Sequence, residues 1–295
     1  MKIMVKVPAT SANLGPGFDT LGCAWDINCR LTFEEGGEGL RISGCSEEYR
    51  DEKNLAYVAY SYAMGYLGEY MPSGLSIDIE SDIPESRGLG SSAAMTVAGL
   101  IAANALHGGR LSKDEILRLA TKLEGHPDNA APAIFGGLVA SSKSGDRVWH
   151  AGYDISAYLN YTLFIPDFPV STWKARALMP PEIPTDNAVY SLSRLPMLLK
   201  GLENASPELL SVGLDDRIHQ PYRKQLIADF DTIREKAIEN GAYGLVISGS
   251  GSVLLSIGGG PDYGKKMAEA VSGLEAKWEV KRVQVDRTGA TVTEL

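Results

Sequence analysis

The sequence predicts an α+β protein of two domains, and three observations carry that expectation. The chain has 295 residues, more than one average domain holds. Apolar residues alternate along Lys2 to Val7 and along Leu75-Ser76-Ile77-Asp78-Ile79-Glu80, the period-2 signature of half-buried strands. From about residue 224 to 285 the order reads helix, strand, turn, strand, helix, strand. That order suits an α+β sandwich and not a doubly wound parallel sheet.

The elements follow in chain order. After the strand at Lys2–Val7 comes Pro8-Ala9-Thr10-Ser11-Ala12-Asn13-Leu14-Gly15-Pro16-Gly17-Phe18-Asp19, which reads as a long turn of small and polar residues around Gly15-Pro16-Gly17. Asn13 and Asp19 either hydrogen-bond this turn or face a polar ligand. Residues 27–34 and 40–43 read as strands, and 54–67 as a helix whose Tyr and Met residues belong to a core. Ser112 with Glu115 forms a capping box, which places a helix at 113–124, ending near Gly125. Strands at about 138–142 and 147–150 close a first domain, residues 1–155. An apolar strand, Tyr161–Pro166, opens a second, residues 156–295. There the reading places a helix over about 187–199, then the closing series described above.

The chain is organised around Pro84-Glu85-Ser86-Arg87-Gly88-Leu89-Gly90-Ser91-Ser92-Ala93-Ala94. A strand precedes it, and an apolar helix follows from Ala93 to about Leu106. Glycines let such a turn bend tightly. The first N–H groups of a helix lack partners and lie at the positive end of its dipole, which suits a phosphate. Ser91 and Ser92 add hydroxyls that can cap the helix, hold a phosphate oxygen or ligate a metal. Gly88 to Ala93 also fits G-x-G-x-x-A, but four residues, Pro84 to Arg87, separate it from the strand, against a dinucleotide fingerprint. No Lys follows the second glycine, so it is not a Walker A loop.

A second polar cluster is Glu124-Gly125-His126-Pro127-Asp128-Asn129. Asp128 and Asn129 read either as a helix N-cap pair or as site residues. Glu124 and a serine at a distant helix start could share one Mg²⁺. Thr172 and Arg176 share a face if their segment is helical. Arg176 and Arg223 are candidates for a substrate carboxylate, which guanidinium groups grip with two prongs. The turn Ser248-Gly249-Ser250-Gly251-Ser252 is either a plain hairpin or a close approach to a phosphate or to the first glycine loop.

Composition narrows the field. A formal net charge of −9 argues against general binding to nucleic acid or anionic membranes. Cys23, Cys29 and Cys45 form no C-x-x-C pair, which fits a reducing cytoplasmic setting and speaks against a zinc site. No apolar run reaches membrane-spanning length, and the N-terminus lacks a signal-peptide core.

Taken together and in order, Val7–Gly22, Pro84–Ala94 and Ile247–Ser252 resemble the three motifs of the GHMP kinase superfamily, the central one matching P-x-x-x-G-L-G-S-S-A-A. Within it the chain is most similar to the homoserine kinase family, through Pro8–Asp19, Glu124–Asn129 and His219-Gln220-Pro221-Tyr222-Arg223. The likeness runs from about Val5 to Val285, with Ser252 standing where the family usually has Pro. It implies ATP-dependent phosphorylation of L-homoserine to O-phospho-L-homoserine, on the path to threonine. It implies an N-terminal ATP-binding α+β domain and a C-terminal ferredoxin-like α/β sandwich, with the active site in the cleft between them.

By the same likeness ATP lies along Pro84, Glu85, Ser86, Arg87, Gly88, Leu89, Gly90, Ser91, Ser92, Ala93 and Ala94, with Asn54 near the adenine. Ser92 and Glu124 hold Mg²⁺. Asn13, Asp19, His126, Arg176 and Arg223 bind the amino acid, Asp128 and Asn129 orient its hydroxyl, and Thr172 meets the transferred phosphoryl. A homodimer is common among such kinases. Two rival readings are another GHMP small-molecule kinase, acting on a mevalonate-like or sugar alcohol, and a nucleotide-binding regulator without catalysis. Retention of Ser92, Glu124 and Asp128 speaks against the regulator.

Overall fold

The computed structural model describes residues 1–295. The first sheet and its helices comprise β1 (Lys2–Asn13), β2 (Gly17–Glu35), β3 (Gly39–Ser43), α1 (Leu55–Leu67), β4 (Gly74–Ser81), α2 (Ser91–Leu106), α3 (Lys113–Glu124), α4 (Ala130–Phe135), β5 (Leu138–Ser144) and β6 (Arg147–Tyr153). The second sheet begins with β7 (Tyr161–Pro166). Then come α5 (Thr172–Ala177), α6 (Thr185–Asn204), α7 (Pro207–Gly213), α8 (Gln220–Arg223), α9 (Phe230–Glu239), β8 (Ala242–Ile247), β9 (Leu254–Gly258), α10 (Tyr263–Val271) and β10 (Trp278–Val283). A last strand, β11 (Thr291–Glu294), ends the chain.

The first sheet runs β11-β1-β2-β4-β3, with β5 joined to β2 and β6 to β5. All its pairs are antiparallel except β3 with β4. The second sheet runs β10-β7-β9-β8 and is antiparallel throughout, which with its crossover helices makes it ferredoxin-like. Phe230, Ile233 and Ala237 of α9, and Tyr263, Met267 and Val271 of α10, cover that sheet's Phe164, Leu245, Ile247 and Leu254. The main core continues from Val5 and Leu31 of the first sheet to Leu163, Val246 and Leu255 of the second. One apolar body therefore joins the two sheets.

Three features depart from the sequence expectation. Residues 8–13 are not turn but the second half of β1, paired with β2 through two register shifts. Pro8 to Asn13 are all buried, so no alternation marks them; both faces of this strand are covered. The helix expected over about 224–240 is broken into a 3-10 turn at Lys224–Leu226 and α9, because Asp229 takes a left-handed backbone at φ 63°. Finally, the chain end leaves the second sheet: Val285 bridges to Trp25, and β11 pairs with β1. Its Thr-Val-Thr-Glu is exposed, so no hydrophobic pattern announces it.

Candidate active site

Three loops meet where the sheets join. The Trp25 indole N–H donates to Ser11 Oγ at 2.8 Å, and Ser11 and Ser248 hydroxyls lie 2.6 Å apart. Ser248 in turn donates to the Gly88 carbonyl at 2.6 Å. One buried relay thus runs from β2 through β1 and the 248–252 turn to the glycine loop. Backbone bonds reinforce it: Gly249 N to Ala12 O at 3.0 Å and Val253 N to Arg87 O at 2.9 Å. Gly88 has φ 82°, and a Cβ there would lie 2.1 Å from Ser248 O, so only glycine admits this approach. The 248–252 segment is the close approach to the glycine loop, not a free hairpin tip.

The glycine loop delivers α2 with Gly90 as its N-cap, at φ 68°. No side chain caps this 16-residue helix, so its leading N–H groups stay available to an anion. Beside them Ser92 Oγ lies 2.9 Å from both oxygens of Glu124, the last residue of α3. Thr96, one turn further along α2, donates to the same carboxylate at 2.6 Å. Thr96 was missed by the sequence reading, although its i+4 spacing from Ser92 was visible. Beneath Gly90, Thr10 donates to Asn129 Oδ1 at 2.8 Å. Asn129 precedes α4 without capping it, and Asp128 Oδ1 accepts from the Asn129 N–H, so the N-cap reading of this pair does not hold.

Several of the expected site residues have structural work. The Arg87 guanidinium donates to the carbonyls of Pro166, Glu85 and Asp167 at 2.9, 2.9 and 3.0 Å, tying the loop to the end of β7. Asn54 caps α1 through Ala56 N, and its NH₂ donates to Tyr49 O. Asn13 accepts from Asp19 N at 3.0 Å and donates to Gly249 O at 2.8 Å. Leu89, Ala93 and Ala94 are buried, whereas Glu85, Ser86 and Ser92 are exposed and Pro84 and Ser91 half-buried.

The charged residues gather against Phe18. Arg176, on α5, holds Asp19 with two prongs, at 2.7 and 3.1 Å. Its guanidinium lies 5.8 Å from the Phe18 ring centre, and that of Arg223 lies 4.9 Å from the same centre. The ring's other support is buried His219, stacked 5.2 Å away. Neither Phe18 nor His219 was singled out as a platform, because a ring at the start of a strand or helix carries no mark of what it supports. Arg223 is buried, and donates to Gly249 O at 3.0 Å. Burial, then the charge of Arg176, lowers its pKa to about 10. Both arginines keep a buried Nε without a partner, an opening for an incoming anion.

Asp128 is buried beside this cluster. Burial first, then the negative charge of Asp19, pushes its carboxyl up to about 7. Half-buried His126 shifts toward its neutral form through burial and the charge of Arg176. Thr172, at the start of α5, has its hydroxyl 3.5 Å from that of Ser250 in the 248–252 turn. The arrangement therefore sets an anion-accepting helix start and an oxygen pair beside a cluster with charges of both signs.

The chain matches the model of the GHMP kinases N terminal domain over residues 54–137 and that of the GHMP kinases C terminal domain over 198–275. A homoserine kinase of Clostridium botulinum (strain Langeland / NCTC 10281 / Type F) is 40% identical over 292 residues, 98% of each chain. This chain is a GHMP kinase of the homoserine kinase family. The crystal structure of homoserine kinase from Cytophaga hutchinsonii superposes on the kinase with a TM-score of 0.89 at 30% identity, covering 99% of this chain and 97% of the other. The crystal structure of L. major mevalonate kinase in complex with R-mevalonate reaches a TM-score of 0.73 at 16% identity over 96% and 95% of the two chains, a likeness of fold alone. ATP is accordingly the kinase's phosphoryl donor.

The raised Asp128 pKa makes a stability prediction. A carboxyl that titrates near 7 when folded and near 3.8 when unfolded binds its proton more tightly in the native state. Well below pH 3.8 it is neutral in both states and costs nothing; between 3.8 and about 7 the unfolded chain releases the proton while the folded kinase keeps it, so stability falls, and above about 7 the folded kinase bears the buried charge at full cost. Asp128→Asn should therefore raise Tm above wild type at pH 8, with the gain shrinking toward pH 4. A pH-independent offset in thermal melts contradicts this.

Proposed function

We propose that this kinase transfers the γ-phosphoryl group of ATP to the side-chain hydroxyl of L-homoserine, giving ADP and O-phospho-L-homoserine for threonine biosynthesis. The carrying observation is the uncapped start of α2 next to a cluster of two arginines, Asp19 and Asp128. The first suits triphosphate oxygens, and the second suits a small zwitterion bearing a hydroxyl. The curated relative named above is called a homoserine kinase over nearly its whole length.

In this reading the chain divides near residue 155, with the nucleotide held by the first part and the amino acid gripped between both. The glycine loop and first turn of α2 bind the phosphates through backbone N–H groups and the Ser91 and Ser92 hydroxyls. Arg176 and Arg223 take the homoserine carboxylate and Asp19 its ammonium group, with His126 and Asn13 lining the pocket. Phosphoryl transfer proceeds mainly by positioning and charge neutralisation, so a strong base is not required. Asp128 and Asn129 orient the hydroxyl toward the γ-phosphate. Thr172, near Ser250, meets the transferred group. Asn54 lies near the adenine, its side chain engaged with Tyr49 O and Ala56 N.

The donors Ser92, Glu124 and Thr96 are all hard oxygens with a single carboxylate, a set that fits Mg²⁺ arriving with phosphate and water ligands. Ser92 and Glu124 would hold the ion, which when bound offsets negative charge on the phosphates. Three free cysteines accord with action in the reducing cytoplasm.

The test is an ADP-release assay with Mg-ATP across homoserine, mevalonate, serine, threonine, galactose and shikimate. Turnover with homoserine at a kcat/KM at least a hundredfold above the others is expected; preferred turnover of another alcohol, or none, overturns the assignment. In the same assay Asp128→Asn should keep kcat within about tenfold while raising the homoserine KM. A general base contributes about 10²–10⁴ in rate. A loss of that size, with disappearance of an acid limb near pH 7, would make Asp128 the proton acceptor instead.

A further inference from the structure

Asp19 and Arg176 are the two groups expected to take opposite ends of the substrate, yet in the structure they hold each other. Their contact is two-pronged, at 2.7 and 3.1 Å. It runs from the start of β2 to α5, across the junction of the two sheets. Side-chain exposures of 33% for Asp19 and 36% for Arg176 leave the pair reachable from solvent. Both sides are set in place. Asp19 adopts φ 53° with its N–H held by Asn13, and α5 is capped by Ser171 through Lys174 N.

The neighbours of each partner decide what can open this contact. Asp19 sits close enough to Asp128 for its charge to act on that carboxyl, and Arg176 acts likewise on Arg223. Arg176 and Arg223 face the same Phe18 ring. A carboxylate arriving alone would pair with Arg176 but strand Asp19 beside Asp128. An ammonium arriving alone would pair with Asp19 but leave Arg176 facing a second guanidinium. A like charge nearby disfavours the charged form and an uncompensated charge in a partly dry site is costly. Only a molecule carrying both charges exchanges one ion pair for two and leaves neither partner exposed to its like-charged neighbour.

We propose that the Asp19–Arg176 pair is a latch that α-amino acid zwitterions open and singly charged hydroxy compounds do not, so that the carboxylate and ammonium subsites are energetically coupled. The latch rests on the homoserine reading, and it is a specificity device beyond the identity of the binding groups. Its signature is counter-intuitive. Removing the charge of Asp19 should free Arg176 for a lone carboxylate, so a substrate-binding residue is lost and one analogue gains affinity.

The probes are 4-hydroxybutyrate, which lacks the ammonium group, and 3-aminopropan-1-ol, which lacks the carboxylate. Each is measured as an inhibitor against homoserine in the full-length enzyme with Mg-ATP. In Asp19→Asn the KM for homoserine should rise at least tenfold while 4-hydroxybutyrate inhibits at least tenfold more tightly than in wild type. The mirror variant, Arg176→Gln, should tighten 3-aminopropan-1-ol in the same way, and it keeps the test open if Asp19→Asn fails to fold. Unchanged or weaker inhibition by the matched analogue in a folded variant overturns the latch, because independent subsites predict no gain. Wild-type enzyme that does not turn over homoserine at all strikes the substrate reading instead, so the two failures are distinguishable.

Discussion

The approach of the 248–252 turn to the glycine loop is the constraint on which the site depends. Gly88 lies so near Ser248 that no side chain fits between them. The same serine continues a hydrogen-bond relay through Ser11 to Trp25. These bonds are buried, where an unpaired polar group costs more than the net gain of the bond itself. The relay therefore specifies one arrangement of three loops rather than merely adding stability. It ties the start of α2 to β1 and to the second sheet at once. Gly249 donates its N–H to the Ala12 carbonyl on one side and receives Asn13 and Arg223 on its own carbonyl from the other. The nucleotide end and the amino-acid end are thus fixed to one short turn.

Around this point the protein manages opposed charges in little space. Asp19, Arg176, Arg223 and Asp128 act on one another, and Phe18 keeps the two guanidinium groups on a common surface. Desolvation makes each charge dependent on its partners. Asp128 answers by titrating near neutrality, and Arg176 by pairing with Asp19. Burial shifts His219 toward its neutral form, against the Asp216 carboxylate 3.6 Å away, and its Nε2 hydrogen-bonds the Gly15 carbonyl while the ring supports Phe18. Phe18 and His219 thus hold the charged groups in place without themselves taking a substrate charge.

How much of this was legible in the sequence depends on the kind of residue. The two-layered α+β plan, the strand at 75–80, the capping box at Ser112 and the 224–285 series were readable because period and cap chemistry are local. Ser92 and Glu124 were readable as oxygens that could meet, but the Asp19–Arg176 ion pair was not, because residues so far apart in the chain share no local pattern. What local pattern could not convey is which polar groups the fold itself consumes. Arg87, Asn54 and Asn13 carry the same side chains whether they face a ligand or three backbone carbonyls, and here the fold takes them. Residues 8–13 looked like a turn because burial on both faces erases alternation. The pairing of β11 with β1 is a contact over nearly the full length of the chain, beyond any window of local pattern.

The most direct test of the account is the kinetics of Gly88→Ala, checked for folding by its thermal melt. The substituted methyl group must push the 248–252 turn away from the glycine loop. If that turn joins both halves of the site, KM should rise for ATP and for homoserine together, with a fall in kcat. A change confined to ATP, with homoserine KM at the wild-type value, would contradict the claim that one contact positions both ends.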